Sequence, residues 1–139
     1  MSTADGKIRG YSSGTVYLVN GPYTGTGTIS SVVDATVSST STISMALDGD
    51  VDGDGADDLL LGRPSSSVVQ GFFGPLAGSF SLSTSADLSI SSTGYLGSSV
   101  AFVGDQDGDG ADDFACGQYG DDIGGTDAGA VHLFFNADL

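Results

Sequence analysis

The chain repeats one short acidic sequence at a fixed distance. DVDGDGADD at residues 50–58 returns as DQDGDGADD at residues 105–113, so the two copies lie 55 residues apart. Each copy runs directly into an apolar segment, LLLG after the first and FACG after the second. A repeat of about 50 residues made of about four short strands is the size of one β-propeller blade. The repeat therefore constrains the chain to a row of similar β-sheet units.

The rest of the sequence also predicts an all-β fold. Its 23 Gly residues, with many Ser and Thr, separate short apolar runs such as DDLLLG and SSVAFVG. Strands joined by tight turns have this pattern. Three further runs, VYLVNGP (16–22), VQGFFGP (69–75) and VHLFFN (131–136), are similar enough to be copies of one strand. We find no sustained helical period of apolar residues in the sequence.

The repeat predicts about two and a half four-stranded antiparallel blades, each of about 55 residues. The expected parts are an N-terminal tail at 1–13, a partial blade of late strands at 14–36, a complete blade with the first acidic loop at 37–91, and a partial blade with the second loop at 92–139. In the first partial blade we expect strands at about 14–20 and 27–34.

An open row of blades exposes unpaired strand edges. We therefore expect a homo-oligomer that closes the ring, a trimer in preference to a dimer, in which the C-terminal strands of one chain and the N-terminal strands of the next build a shared blade. The rival explanation is that the chain is a fragment of a longer propeller.

The charge of the chain is strongly acidic. Eighteen acids stand against Lys7, Arg9 and Arg63, for a net charge of −15, and every acid is Asp. Asp favours turns and hard-metal coordination, whereas Glu favours helix interiors. Nucleic acid is excluded as a partner because it would need a basic surface that three cationic residues cannot build. The sequence also lacks the run of about eighteen apolar residues that a membrane span requires.

The two acidic loops have the spacing of a calcium site. Acids occupy positions 1, 3, 5 and 9, Gly occupies position 6, and position 7 can offer a backbone carbonyl, so that six to eight hard oxygens can surround one Ca²⁺. The predicted ligands are Asp50, Asp52, Asp54, Ala56 and Asp58 for the first ion, and Asp105, Asp107, Asp109, Ala111 and Asp113 for the second. A plain Asp-Gly turn is the alternative for one such loop, but two copies in register favour calcium.

Two further features refine this prediction. Asp57 and Asp112, at position 8, are expected to point away from the ion and to begin the next strand or to bond the loop backbone. Position 12 is Leu61 in one copy and Cys116 in the other, whereas an EF-hand or dockerin loop needs an acid there and helical flanks. A β-hairpin calcium loop is therefore expected.

At this point the sequence resembles a known family. YLGSSVAFVGDQDGDGADDFACG (95–117) is similar to the FG-GAP repeats of the integrin α-subunit β-propeller and its bacterial relatives, and LLLGRP (59–64) is similar to the end of that motif, with Arg63 in place of Ala. The resemblance implies that each calcium loop joins the first two strands of a blade. The strand pairs would be 42–47 with 57–62, and 98–103 with 112–116.

We expect a module without catalytic activity. His132 is the single histidine and lies in an alternating strand, and Cys116 has the setting of a small buried residue. The resemblance implies a calcium-stabilised scaffold for protein interaction or adhesion, in a secreted or cell-surface protein where calcium is millimolar. The alternative is a calcium-dependent carbohydrate-binding module, whose aromatic platform would have to come from Tyr11, Tyr17, Tyr23, Tyr95 and Tyr119.

Overall fold

The computed structural model describes residues 8–12, 15–21, 24–38, 44–82 and 84–136. Eleven strands lie in these ranges: β1 (Ile8–Ser12), β2 (Thr15–Val19), β3 (Ala35–Ser38), β4 (Ser44–Gly49), β5 (Asp58–Arg63), β6 (Val68–Phe72), β7 (Gly78–Ser81), β8 (Leu88–Ser91), β9 (Leu96–Gly104), β10 (Asp113–Gln118) and β11 (Ala130–Phe134). The helical elements within the described ranges are α1 (Ile29–Val32) and a 3-10 turn at Pro64–Ser66. The all-β prediction is confirmed.

The strands form three sheets, which belong to two compact units of the chain. The first unit comprises Met1–Ser41 and Leu76–Ser85, and the second comprises Thr42–Pro75 and Ala86–Leu139. The first unit holds one sheet, in the order β1-β2-β3-β7, and the second holds a sheet in the order β4-β5-β6-β8 and another in the order β11-β10-β9. None of the three described sheets closes on itself.

In the first unit, alternate residues of β2 and β3 build the core. Val16 and Leu18 are buried on one strand and Ala35 and Val37 on the next, while the residues between them are partly exposed. This period of two is that of a strand with one buried face. The segment 1–13, predicted as a tail, contains β1, which pairs with β2.

Two predictions about this unit are wrong. Residues 29–32, expected within a strand, form α1, and the strand begins at Ala35 instead. The cause is local: the backbone N–H and the hydroxyl of Ser31 both donate to the Thr28 carbonyl, at 2.9 and 2.8 Å, and such bonds compete with strand pairing. The expectation of purely antiparallel sheets also fails, because β3 pairs in parallel with β7, a strand from the middle of the chain.

In the second unit, the two strand pairs around the acidic loops are confirmed. β4 pairs with β5 and β9 pairs with β10, both antiparallel, and the strand ends differ from the expected ones by one or two residues. Each acidic sequence is thus the connection of a β-hairpin. The first hairpin continues into a four-stranded antiparallel sheet, and the second continues into β11.

The core of the second unit joins its two sheets. β9 packs against β4, β5 and β6, and the central cluster consists of Val51, Leu60, Val69, Leu96, Phe114 and Cys116. Gly62 is needed at this junction because a Cβ there would meet the carbonyl oxygen of Gly97 on β9. The two hairpins are therefore held against each other.

Cys116 is buried as predicted, and burial raises the pKa of its thiol to about 11. Across the described residues, no helix is long and apolar enough to cross a membrane.

Candidate metal centres

The first residue of each acidic loop organises the loop backbone. Both oxygens of Asp50 accept backbone N–H bonds, Oδ1 from Asp54 at 3.0 Å and Oδ2 from Gly55 at 2.8 Å. Asp105 repeats the pattern, with Oδ1 accepting the N–H of Asp109 at 3.2 Å and Oδ2 that of Gly110 at 2.9 Å, and its Oδ1 also accepts the N–H of Gly108 at 2.6 Å. The hydrogen bond from Gly108 has the largest effect on the pKa of Asp105, and the bond from Gly110 the next largest. Together they hold this pKa below its usual range, so the carboxylate stays ionised.

The glycine at position 6 has a conformational cause. Gly55 has φ +88° and Gly110 has φ +98°, a region in which a side chain is strained. The turn there reverses the chain and aims its N–H at the carboxylate of position 1. Both copies therefore adopt the same tight curl, as the shared sequence predicts.

The curl brings three carboxylates together in each loop. Oxygens of Asp50, Asp52 and Asp58 all lie within 4.8 Å of one another, and so do oxygens of Asp105, Asp107 and Asp109. Positions 1 and 3 therefore converge in both copies. Position 9 completes the group in the first loop, and position 5 completes it in the second.

Four of the predicted ligands lie in the same loops but outside these groups of three: Asp54, Ala56, Ala111 and Asp113. Asp54 accepts the N–H of Ala56 at 2.7 Å, and Asp109, a member of the second group, accepts that of Ala111 at 2.9 Å. The acid at position 5 and the alanine at position 7 are thus bonded to each other in both loops.

The two acids at position 9 are fully buried, each with a pair of backbone donors. Asp58 accepts the N–H of Val51 at 2.6 Å and that of Gly74 at 2.7 Å. Burial raises the pKa of Asp58, and the bonds from Gly74 and Val51 act in the opposite direction.

Asp113 is held in the same way, by Gln106 at 2.7 Å and Asn136 at 3.0 Å. Position 9 therefore ties the start of its own loop to the residues that follow the third strand of its sheet.

These partners of position 9 were not predicted from the sequence, although a signal for them exists. The similar runs VQGFFG (69–74) and VHLFFN (131–136) align Gly74 with Asn136, and these are the two residues that bond Asp58 and Asp113. Asn136 differs from Gly74 in carrying a side chain, whose amide nitrogen lies 3.4 Å from Oδ2 of Asp109.

The acid at position 8 of the second loop contacts the first loop. Oδ2 of Asp112 accepts the N–H of Asp50 at 3.0 Å, and the N–H of Asp112 donates to the carbonyl of Asp50 at 2.7 Å. Asp112 thus bonds a loop backbone, as predicted, but that of the neighbouring loop.

The donor set fits a hard divalent cation. Each group offers oxygen atoms alone, from three acids that would repel one another without a positive charge between them. Oxygen ligands of this kind suit Ca²⁺, whose coordination tolerates irregular geometry better than that of Mg²⁺. The residues that would hold the ions are the converging acids, Asp50, Asp52 and Asp58 in the first loop and Asp105, Asp107 and Asp109 in the second.

The second unit contains two β-hairpins, each with an acidic loop, and their sheets pack against each other. This arrangement is that of a protein built of repeated β units. The family described as FG-GAP-like repeat matches residues 50–116, a segment that includes both acidic loops. The resemblance found in the sequence is therefore confirmed over this segment. No curated protein matches the chain.

Proposed function

We propose that the chain is a calcium-binding β-propeller module that binds one Ca²⁺ in each acidic loop. The observation that carries the proposal is the convergence of three carboxylates in each of two loops with the same backbone. The match to FG-GAP-like repeats supports it, since such repeats often bind calcium. The ligand sets are those predicted from the sequence, with the carbonyl groups of Ala56 and Ala111 at position 7.

Calcium would act on this module as a structural element. Without it, like charges face one another within each loop, and the repulsion opposes the hairpin. With it, each ion would neutralise its carboxylates and hold the ends of two strands together. At free calcium about 100 times the dissociation constant, each site would add about 2.7 kcal/mol to the free energy of unfolding.

The role we propose is that of a scaffold without catalytic activity, for protein interaction or adhesion, in a secreted or cell-surface protein. FG-GAP repeats occur in extracellular or surface proteins, where calcium is plentiful. The supporting observations concern the single cysteine and the single histidine, two residue types suited to nucleophilic or acid–base chemistry. Cys116 is buried with a raised pKa, and Nε2 of His132 lies 3.0 Å from Oε1 of Gln118.

Calorimetry with and without metal tests the proposal. Excess EGTA should lower the melting temperature strongly, and titration with calcium should give two sites per chain. Asp54→Ala and Asp109→Ala should each leave one site, because position 5 has no substitute on so short a loop. An unchanged melting curve in EGTA, together with no binding heat, would refute the calcium assignment.

Carbohydrate binding is the second candidate function, and one surface feature favours it. Tyr95 and Tyr119 stack with ring centroids 4.7 Å apart and planes 9° from parallel, and both are about half exposed. Exposed aromatic faces are the usual platforms for sugar rings. A glycan array in calcium and in EGTA distinguishes the two functions, since a scaffold would bind no glycan in either condition.

Self-association is a further part of the proposal. Within the described residues, β11 is an edge strand of a three-stranded sheet, whereas the other sheet of its unit has four strands. A strand from a second copy could pair with this edge and bury the exposed side chains of Val131 and Leu133.

The predicted donor of such a strand was residues 14–34, but β2 already lies between β1 and β3. The β11 edge is therefore the stronger support for a homo-oligomer, with the trimer still favoured over the dimer. Native mass spectrometry in calcium tests it, and a stable monomer at micromolar concentration would refute it.

A further inference from the structure

We propose that Asp112 of the second loop positions Asp50 of the first, so that the two loops bind calcium cooperatively. The inference rests on the proposed calcium function and adds an energetic link between its two sites. Asp112 is a positioning residue in this account, since it acts on the first site through Asp50.

Two hydrogen bonds connect these residues. The N–H of Asp50 donates to Oδ2 of Asp112 at 3.0 Å, and the carbonyl of Asp50 accepts the N–H of Asp112 at 2.7 Å. The backbone of Asp50 is therefore held on both sides by one residue that lies 62 positions along the chain. The side chain of Asp50 accepts the N–H groups of Asp54 and Gly55 and belongs to the converging group of three.

Packing on both sides of this contact keeps the two loops together. Val51, the next residue of the first loop, is buried in one cluster with Phe114 and Cys116 of β10. A Cβ on Gly49 would collide with the ring of Phe102 on β9, which shows how closely that ring covers the end of β4. The contact between Asp112 and Asp50 is thus part of a packed interface.

Calcium in the second loop would restrain Asp112 from both directions. Asp112 lies between Ala111 and Asp113, the residues at positions 7 and 9 of its loop, which are predicted ligands. A cation in the second loop would order this short segment and lower the entropic cost of the bonds to Asp50. Linkage is reciprocal, so calcium in the first loop would tighten binding in the second by the same factor.

Isothermal titration with calcium tests this link. In Asp109→Ala the first loop should be the one remaining site, and its affinity should be about fivefold or more below that of the first loop in the native chain. Asp112→Ala should keep two sites but weaken the first loop about three- to tenfold, through the lost hydrogen bond. The double variant Asp109→Ala/Asp112→Ala should bind no more weakly at the first loop than Asp112→Ala, because both lack the side-chain bond through which the second loop acts on Asp50.

Two variants separate the hydrogen bond from charge and from misfolding. Asp112→Asn keeps a side-chain oxygen that can accept from Asp50, so it should restore most of the affinity lost in Asp112→Ala. Asp122→Ala removes the same charge from an exposed carboxylate that accepts the N–H of Asp127 at 2.8 Å, and it should leave both affinities unchanged. Circular dichroism confirms that each variant is folded.

The outcomes are distinguishable. A native chain that binds no calcium would refute the proposed function, and the link with it. Two calcium sites with first-loop affinity equal in Asp112→Ala and Asp122→Ala would refute the link alone. Asp112→Asn as weak as Asp112→Ala would also overturn it, since the effect would then follow charge and not the bond.

Discussion

Replacing Asp58 with Ala should destabilise the protein even when no metal is present. This carboxylate is fully buried, and its two oxygens accept the backbone N–H groups of Val51 and Gly74 at 2.6 and 2.7 Å. Alanine would leave both donors without their acceptor. The residue therefore has a structural role beside its predicted role as a calcium ligand.

The size of the effect follows from the burial of the two donors. A buried donor that loses its partner costs about 1–3 kcal/mol. Val51 is buried, so its N–H should cost the upper part of that range, whereas Gly74 is half-buried and water can replace part of its bond. We expect Asp58→Ala to lose about 2–5 kcal/mol in free energy of unfolding. Asp58→Asn keeps one acceptor oxygen and should lose about half as much.

The assay is urea unfolding followed by circular dichroism, in EGTA and in excess calcium. Asp52→Ala is the matched control, because Asp52 belongs to the same converging group but is exposed. In EGTA the control should be as stable as the native chain, or slightly more stable, since it removes a neighbouring like charge. In calcium both variants should lose the stabilisation by the first ion. Native stability of Asp58→Ala in EGTA would refute the structural role of position 9.

Two further predictions concern the core of the second unit. Gly62→Ala should lower the free energy of unfolding by about 1–3 kcal/mol through overpacking, because its Cβ would meet the Gly97 carbonyl oxygen and the Ser44 hydroxyl; a urea midpoint equal to that of the native chain would contradict the close approach. The thiol of Cys116 should resist Ellman's reagent at pH 8 until urea is added, and fast labelling of the folded chain would contradict its burial. Since its pKa rises from 9.0 to about 11 on folding, the stability that it contributes is complete below pH 9 and should be lost as the pH rises from 9 to about 11.

The sequence was sufficient to predict the acidic loops and the strands beside them, because the information there is local. Acids at alternate positions, with Gly at position 6, determine a curl that depends on few distant residues. A loop whose ends meet also brings together the strands on either side of it. For this reason the pairing of β4 with β5 and of β9 with β10 was predicted, with strand ends correct to within one or two residues. The same locality makes Asp50 and Asp105 equivalent in every backbone bond from positions 5 and 6.

The sequence could not predict the pairing of β3 with β7. Ala35 faces Gly78, a partner 43 residues away, and neither strand has a pattern that specifies a parallel neighbour. The contact of Asp112 with Asp50 was missed for a similar reason. Position 8 was expected to bond a loop backbone, but which loop lies beside it depends on how two sheets stack. That packing is set by long-range contacts such as Gly62 with Gly97.

The paired acids that end the second loop, Asp112 and Asp113, have different roles because of strand geometry. Successive side chains of a strand point to opposite faces. Asp113 is the first residue of β10 and turns toward its own loop, where it accepts the N–H of Gln106. Asp112 precedes it and faces the other way, where it meets the N–H of Asp50. The Asp-Asp pair at 112–113 therefore closes one hairpin and links it to the hairpin of the preceding sheet, so a single dipeptide connects the acidic loop of one repeat to that of the other.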